Sequence, residues 1–182
     1  KFVKRNIDKR KIYFLSCGNL IEIKNNILMI DFLVRIAKET KKKVHFTLVG
    51  NGKLKDKIFE KLIKNKKYID YNYYEYVNDF VKFIKKRKIN FFLNFSSQEG
   101  MPFTVMETMS IGIPTISSNI KPNEYLVKNK GYVFNLSNYE RTIDNTIKII
   151  CDDLENDKNY LSKCLKSYNF INKFLINSKC HK

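Results

Sequence analysis

Apolar and polar positions along this chain switch repeatedly between two periods, and the switches mark out its elements. Lys11-Ile12-Tyr13-Phe14-Leu15-Ser16-Cys17-Gly18 reads as a buried strand ended by a glycine. From Asn25 to Glu39 the apolar residues Ile27, Ile30, Leu33, Val34 and Ala37 recur at helical spacing. Lys43 to Val49 predicts a second strand, closed by the tight turn Gly50-Asn51-Gly52. A basic helix from Leu54 to Lys64 follows, with Ile58, Leu62 and Ile63 assigned to its inner face. Tyr68 to Tyr71 predicts a short third strand, Asn78 to Lys86 a helix, and Asn90 to Phe95 an apolar fourth strand. Phe103 to Ile111 then reads as a helix capped by Gly112, with Pro114 just beyond. Ile113 to Ser117 and Gly131 to Phe134 predict two further strands, separated by a short helix at Asn123 to Lys128. After Asn138 the spacing is helical to the end, in two segments broken near Asn156-Asp157.

Strands that alternate with helices, and are apolar without clean alternation, imply a parallel sheet covered on both faces. The predicted class is α/β, a doubly wound parallel sheet followed by C-terminal helices. Ligands of such folds sit beyond the carboxyl ends of the strands. The loops at Gly18, Gly50, Ser96 to Met101 and Ser117 to Pro122 are therefore expected to share one edge. The expected organisation is a basic lead-in over 1–10, a ligand-binding domain over 11–140, and helices over 141–182 that pack back on it.

Composition changes the picture in one respect. At 182 residues the chain suits one domain with a substantial core, yet 35 Lys and Arg against 18 Asp and Glu give it a net charge of +17. That balance raises a polyanionic partner: nucleic acid, an anionic membrane surface or an acidic substrate. The excess is nearly all lysine amid abundant Asn and Ile, a mixture that also reads as the bias of an AT-rich genome. Lysine is the less specific binder of planar anions. Neither zinc-finger spacing nor the aromatic RNA-binding strand motifs accompany it, so no specific nucleic acid is expected.

No apolar run approaches the roughly 20 residues needed to span a bilayer, and no signal-peptide pattern appears. Cys17, Cys151, Cys164 and Cys180 lack C-x-x-C spacing and read as reduced thiols. The expected location is the cytoplasm, with peripheral contact at the inner membrane face as an addition. The chain opens on Lys1-Phe2-Val3-Lys4-Arg5 rather than Met, as a piece of a longer protein would.

Chemistry concentrates between the fourth strand and the helix after it. Glu99 and Glu107 flank a turn, Gly100-Met101-Pro102-Phe103-Thr104, whose amides open a helix, and such ends hold anionic oxygens. Two carboxylates can divide acid and base roles, whereas one inside a helix can simply complement its dipole. Gly50-Asn51-Gly52 reads equally well as a turn or as a ligand contact. The tyrosines Tyr68, Tyr71, Tyr73, Tyr74 and Tyr76 fit core packing with an exposed rim better than base stacking. His45 and His181 are isolated, no metal-ligand spacing occurs, and no phosphate-loop motif is present.

The Glu-Gly-x-Pro context after an apolar strand resembles the E-x7-E signature of family 4 (group 1) retaining glycosyltransferases, which have the GT-B fold. The resemblance spans about residues 11–140 and covers the C-terminal, donor-binding, Rossmann-like half of such an enzyme. It implies transfer of a hexose from a nucleoside-diphosphate sugar, UDP favoured, to a saccharide or lipid-linked acceptor, as in polysaccharide biosynthesis. It implies no cofactor and no metal, and a partner N-terminal domain that this chain lacks.

By position the resemblance places Glu99 at the donor sugar and Glu107 at the ribose hydroxyls. Backbone amides of Gly100, Met101, Phe103 and Thr104 would serve the sugar and phosphates. Pro102, also in that donor-binding loop, stands where relatives often have glycine and has no N–H to give. Lys24 matches a lysine that neutralises the leaving diphosphate. Asn19 stands where an arginine is usual, and Lys53 is the candidate substitute. Gly50 resembles the first glycine of the family's G-x-G turn. The alternative from another class is an inactive basic module that binds nucleic acid or anionic membrane on the same scaffold, and an enzyme cleaving sugar phosphates shares the fold.

Overall fold

Parallel pairing of two seven-residue strands, β1 (Lys11–Cys17) and β2 (Lys43–Val49), sets the register of the whole sheet. In the computed structural model, which describes Phe2 and residues 6–179 with side chains to residue 175, four more strands join them. They are β3 (Ile69–Tyr74), β4 (Phe91–Asn94), β5 (Thr115–Ser118) and β6 (Tyr132–Phe134), all parallel, in the order β3-β2-β1-β4-β5-β6. The remainder of the opening Lys1-Phe2-Val3-Lys4-Arg5 segment, together with Cys180 and His181, lies outside the described residues.

The helices are α1 (Asn26–Thr40), α2 (Lys55–Lys64), α3 (Phe80–Lys85), α4 (Phe103–Met109), α5 (Lys121–Val127), α6 (Tyr139–Glu155) and α7 (Asp157–Lys179). The doubly wound sheet expected from the alternation is thus the one observed. Successive side chains of a strand point to opposite faces, and β4 shows the consequence. Phe91 and Leu93 enter one core with α1, α2 and α6, while Phe92 enters a second with α3, α4 and α5. Such two-sided burial explains why β4 is apolar without alternation. Helix α7 crosses between the faces: Tyr160 and Cys164 belong to the first core and Ile171 to the second.

Two details differ from the sequence reading. Strand β3 runs on to Tyr74, because Tyr71 and Tyr73 pack against Phe59 and Tyr74 against Phe83. These rings are wall rather than ligand platform, and only Tyr76 stands well clear of it. Ile63, assigned to the inner face of α2, is 58% exposed. One residue past Leu62 is 100° around a helix, so Leu62 and Ile58 take the core and Ile63 is turned outward.

Backbone contact locks the loops at the carboxyl edge. A Cβ on Gly50 (φ +135°) would stand 1.9 Å from the Gly18 carbonyl oxygen, and one on Gly52 would stand 2.5 Å from that of Leu20. These glycines therefore let the loops after β1 and β2 touch, and Leu20 N–H donates to the Asn51 carbonyl at 2.9 Å. Gly100 has nothing within 4 Å of its would-be Cβ. Gly50→Ala should lower unfolding stability by on the order of 2–4 kcal/mol in denaturant titrations, with Gly100→Ala within about 0.5 kcal/mol of the parent.

Candidate active site at the carboxyl edge

Neighbouring strands β1 and β4 send their following helices to opposite faces, so a crevice opens between the two loops that leave them. From β1 comes Gly18-Asn19-Leu20, then a 3-10 turn over Glu22–Lys24. Asn25, in a left-handed conformation (φ 51°), turns the chain into α1 and donates its side-chain amide to the Phe95 carbonyl at 2.8 Å. Ser97 N–H donates to the Ile23 carbonyl at 2.8 Å. The loops after β1 and β4 are therefore stitched together before any charged group is considered.

The charged link is Lys24 to Glu99. The ammonium lies 2.6 Å from Oε1 of Glu99, with side chains only 22% and 14% exposed. The same Oε1 accepts from Ser96 Oγ at 2.7 Å and from Asn94 Nδ2 at 3.3 Å. Burial pushes the Glu99 carboxyl up, but the Lys24 and Ser96 hydrogen bonds outweigh it and hold the group below the usual carboxylate range.

Underneath runs a buried polar network. Ser118 Oγ donates to the Ser96 carbonyl, and Asn123 Nδ2 reaches Ser118 Oγ at 3.3 Å and Asn94 Oδ1 at 3.5 Å. Sequence reasoning missed Asn94, Ser96, Ser118 and Asn123. For Asn94, Ser96 and Ser118 the available signal was polar residues closing two apolar strands; Asn123, inside α5, gave none.

Glu107 is the opposite case. It lies on the first turns of α4, half-buried, and no described residue donates to its carboxylate. Burial, then the charge of Asp79, pushes its pKa up. The Cys17 thiol at the end of β1 is pushed up to about 12, first by burial and then by Glu107, while Lys24 acts the other way. Cys17 thus lies between the fields of Glu107 and Lys24.

Between the two glutamates, Met101 and Phe103 are exposed (55% and 67%) and Pro102 is buried. The Phe103 N–H turns back onto the Met101 carbonyl at 2.9 Å, whereas the Thr104 N–H has no acceptor among the described residues. Asn19 is exposed and lines the crevice with Lys24 and Glu99. Lys53 does not reach in: it pairs with Glu22 at 3.1 Å on the outer side of the turn. His45 contacts Asn72 at 3.0 Å on the far half of the sheet. No cluster of metal-ligating side chains occurs among the described residues.

A parallel sheet in this order, with a polar crevice where the strand order reverses, defines a doubly wound α/β domain of the Rossmann-like class. The chain belongs to the glycosyl transferases group 1 family, whose model matches residues 1–164. Glycosyltransferase MJ1059 of Methanocaldococcus jannaschii is 35% identical over 127 residues, 67% of this chain and 30% of that protein. The UDP-Gal:alpha-D-GlcNAc-diphosphoundecaprenol alpha-1,3-galactosyltransferase of Escherichia coli is 34% identical over 77 residues, 40% of this chain and 20% of that protein. A TarM variant of S. aureus, solved with Fondaparinux, alpha-GlcNAc-glycerol and UDP, superposes with a TM-score of 0.72 at 21% identity, over 92% of this chain and 34% of that one. The fold is that of the Rossmann-like half of GT-B glycosyltransferases. The chain spans well under half the length of these relatives.

The unpaired Glu107 carries a linkage prediction. A carboxyl whose folded pKa lies above its unfolded one favours the folded state when protonated and opposes it when ionised. Glu107→Gln should therefore raise the melting temperature at neutral pH. The gain should vanish as pH falls below the usual carboxylate range, in thermal melts across the acidic to neutral interval.

Proposed function

We propose that this chain is the donor-binding half of a retaining glycosyltransferase. It would transfer a hexose from a nucleoside-diphosphate sugar, UDP favoured, to a saccharide or lipid-linked acceptor. The observation that carries this reading is the crevice between β1 and β4, lined by the cation Lys24 with Glu99 and Cys17, and the unpartnered carboxylate of Glu107, close enough to raise the pKa of the Cys17 thiol. A nucleoside diphosphate offers the matching pair, anionic phosphates and a hydroxyl-bearing ribose. The UDP named for two of the relatives supports that base.

In this reading Glu107 accepts from the ribose hydroxyls, and its lack of a protein donor leaves it available for them. Thr104 presents an unused N–H and a hydroxyl to the diphosphate, with Gly100 and Met101 beside it. Lys24 stabilises the charge that develops as the diphosphate leaves. Without ligand that charge rests on Glu99, so an arriving diphosphate shares or takes the ammonium and frees Glu99 for the donor sugar. Asn19 contributes an uncharged polar contact.

Retention requires the acceptor hydroxyl to attack the anomeric carbon on the face the leaving group departs from. The carbon–oxygen bond to the diphosphate breaks, the bond to the acceptor forms, and a diphosphate oxygen takes the acceptor's proton. The acceptor is held by a second domain outside this chain.

The inactive basic module is the less favoured reading. Family membership over residues 1–164 and an intact Lys24–Glu99 pair in the crevice both favour a donor site. Thermal melts with UDP, GDP, ADP and a short DNA duplex, at low and raised salt, separate the two. Stabilisation by UDP should persist in salt, weaken at least about tenfold in affinity in Lys24→Ala, and disappear in Glu107→Gln. Stabilisation by DNA alone, lost in salt, would overturn the donor reading.

A further inference from the structure

The amino edge of the sheet, opposite the crevice, carries a different chemistry. The connections into β1, β2, β3 and β4 end there, and these four strands are neighbours. Residues 9–11 supply Lys9, Arg10 and Lys11, and residues 41–43 supply three lysines. Residues 64–67 add Lys64, Lys66 and Lys67, and residues 85–88 add Lys85, Lys86, Arg87 and Lys88. Thirteen of the chain's 35 Lys and Arg thus fall in four short connections.

Most nearby acids are engaged, although Asp152 and Glu155, exposed near the end of α6, act on Cys151 together with Glu39 and Lys42. Asp8 accepts from the backbone of Arg10 and Lys11, Asp70 is shared by Lys11 and Lys43, and Glu60 pairs with Lys64. Glu39 stands exposed in the last turn of α1.

Helix ends do not account for this density. A helix C-terminus carries about half a negative charge, so the ends of α1, α2 and α3 ask for a few cations between them. The connection after α4, Ser110 to Pro114, contains no lysine at all. The charge is therefore concentrated on the stretch of this edge from β3 to β4, with two more lysines, Lys128 and Lys130, in the connection into β6. An open depression of about 500 Å³ lies within it, lined by Lys38, Lys41, Lys42, Lys43 and Lys67 around Tyr68. The ammoniums of Lys38 and Lys67 sit 5.4 and 5.6 Å from the Tyr68 ring centre.

We infer that this amino edge docks on an anionic phospholipid surface. Connections that end along one edge of a sheet make a broad face suited to a planar partner. Eleven of its thirteen cations are lysines, compact charges without the fork geometry that nucleic-acid recognition exploits. Arg87, the guanidinium within the last connection, is folded over Phe83 at 3.5 Å and donates to the Tyr74 hydroxyl. Beside Lys64 stands Ile63, 58% exposed, an aliphatic side chain placed to enter the headgroup boundary. No helix of the described residues is long and apolar enough to cross a membrane, so this contact is peripheral. Seven residues of β1, roughly 20 Å, separate the docked edge from the crevice, which stays open whatever it binds.

The test is co-sedimentation of the full chain with vesicles of phosphatidylcholine alone or mixed with phosphatidylglycerol, at low and raised salt, beside binding to a DNA duplex. Three variants accompany it. One changes Lys41, Lys42, Lys66 and Lys67 to Gln. A charge-matched control changes Lys148, Lys158, Lys166 and Lys173, all exposed on α6 and α7, to Gln. The third is Ile63→Ser, and melting temperatures confirm that all three fold. The parent should bind only the anionic vesicles and release them in salt. A surface lysine contributes about fivefold, so the edge variant should bind about 100-fold or more weakly, and the control should lose far less. Ile63→Ser should weaken vesicle binding several-fold and leave DNA binding unchanged. No binding of the parent to anionic vesicles, or equal losses in edge and control variants, would overturn the docking. So would tighter binding to DNA with no effect of Ile63→Ser, which would assign the edge to nucleic acid.

Discussion

Two loops leave adjacent strands for opposite faces of the sheet, and the contact between them organises everything at the carboxyl edge. Divergence at this point opens the crevice, and without cross-links the loops would have no reason to keep one geometry. Among the described residues three pairs span the gap: Asn25 with the Phe95 carbonyl, Ser97 through its N–H and hydroxyl with the Ile23 carbonyl, and Lys24 with Glu99. The first two are hydrogen bonds within the framework. The third joins two ionised groups that are mostly out of solvent, where an unpaired charge is expensive. A ligand that competes for Lys24 therefore acts on the link that ties the two loops, which gives binding a direct route to loop geometry.

Much of this arrangement was legible in the chain. The alternation of apolar runs gave the order of strands and helices, because strands buried on both faces cannot alternate. Glycines after β1 and β2 marked the turns there, and their would-be Cβ contacts show that the two loops touch. The span from Glu99 to Glu107 stood out because a Gly-x-Pro turn follows an apolar strand. What could not be read was partnership. Nothing local distinguishes Glu99, which takes three donors on one oxygen, from Glu107, which takes none among the described residues. Those donors come from 75, 5 and 3 positions away in sequence. For the same reason Lys53 was a candidate for the crevice until its pairing with Glu22 placed it outside.

Polar residues in apolar strands were the larger omission. The sequence reading gave no role to Asn94, Ser96 and Ser118, which close or follow β4 and β5, or to Asn123 inside α5. Folded, they form the buried platform on which Glu99 rests, and buried polar groups of this kind fix a geometry only when they are bonded to one another. Ile63 failed for the opposite reason. It fits an apolar stripe by composition, but α2 buries Ile58 and Leu62 with Phe59 packed partly beside them, and Ile63 is turned outward. Exposed beside Lys64, it belongs to the basic edge and not to the core. The two ends of the sheet thus divide the chemistry: mixed charge in a crevice at one, concentrated lysine on a broad face at the other.

That division makes the location of a bound nucleotide the decisive observation, because both ends carry cations. The direct measurement is the structure of the chain with UDP. The account predicts one nucleotide between β1 and β4, with ribose hydroxyls against Glu107 and phosphates between Lys24 and Thr104. A nucleotide found instead among Lys41, Lys43 and Lys67, with the crevice unchanged, would contradict it.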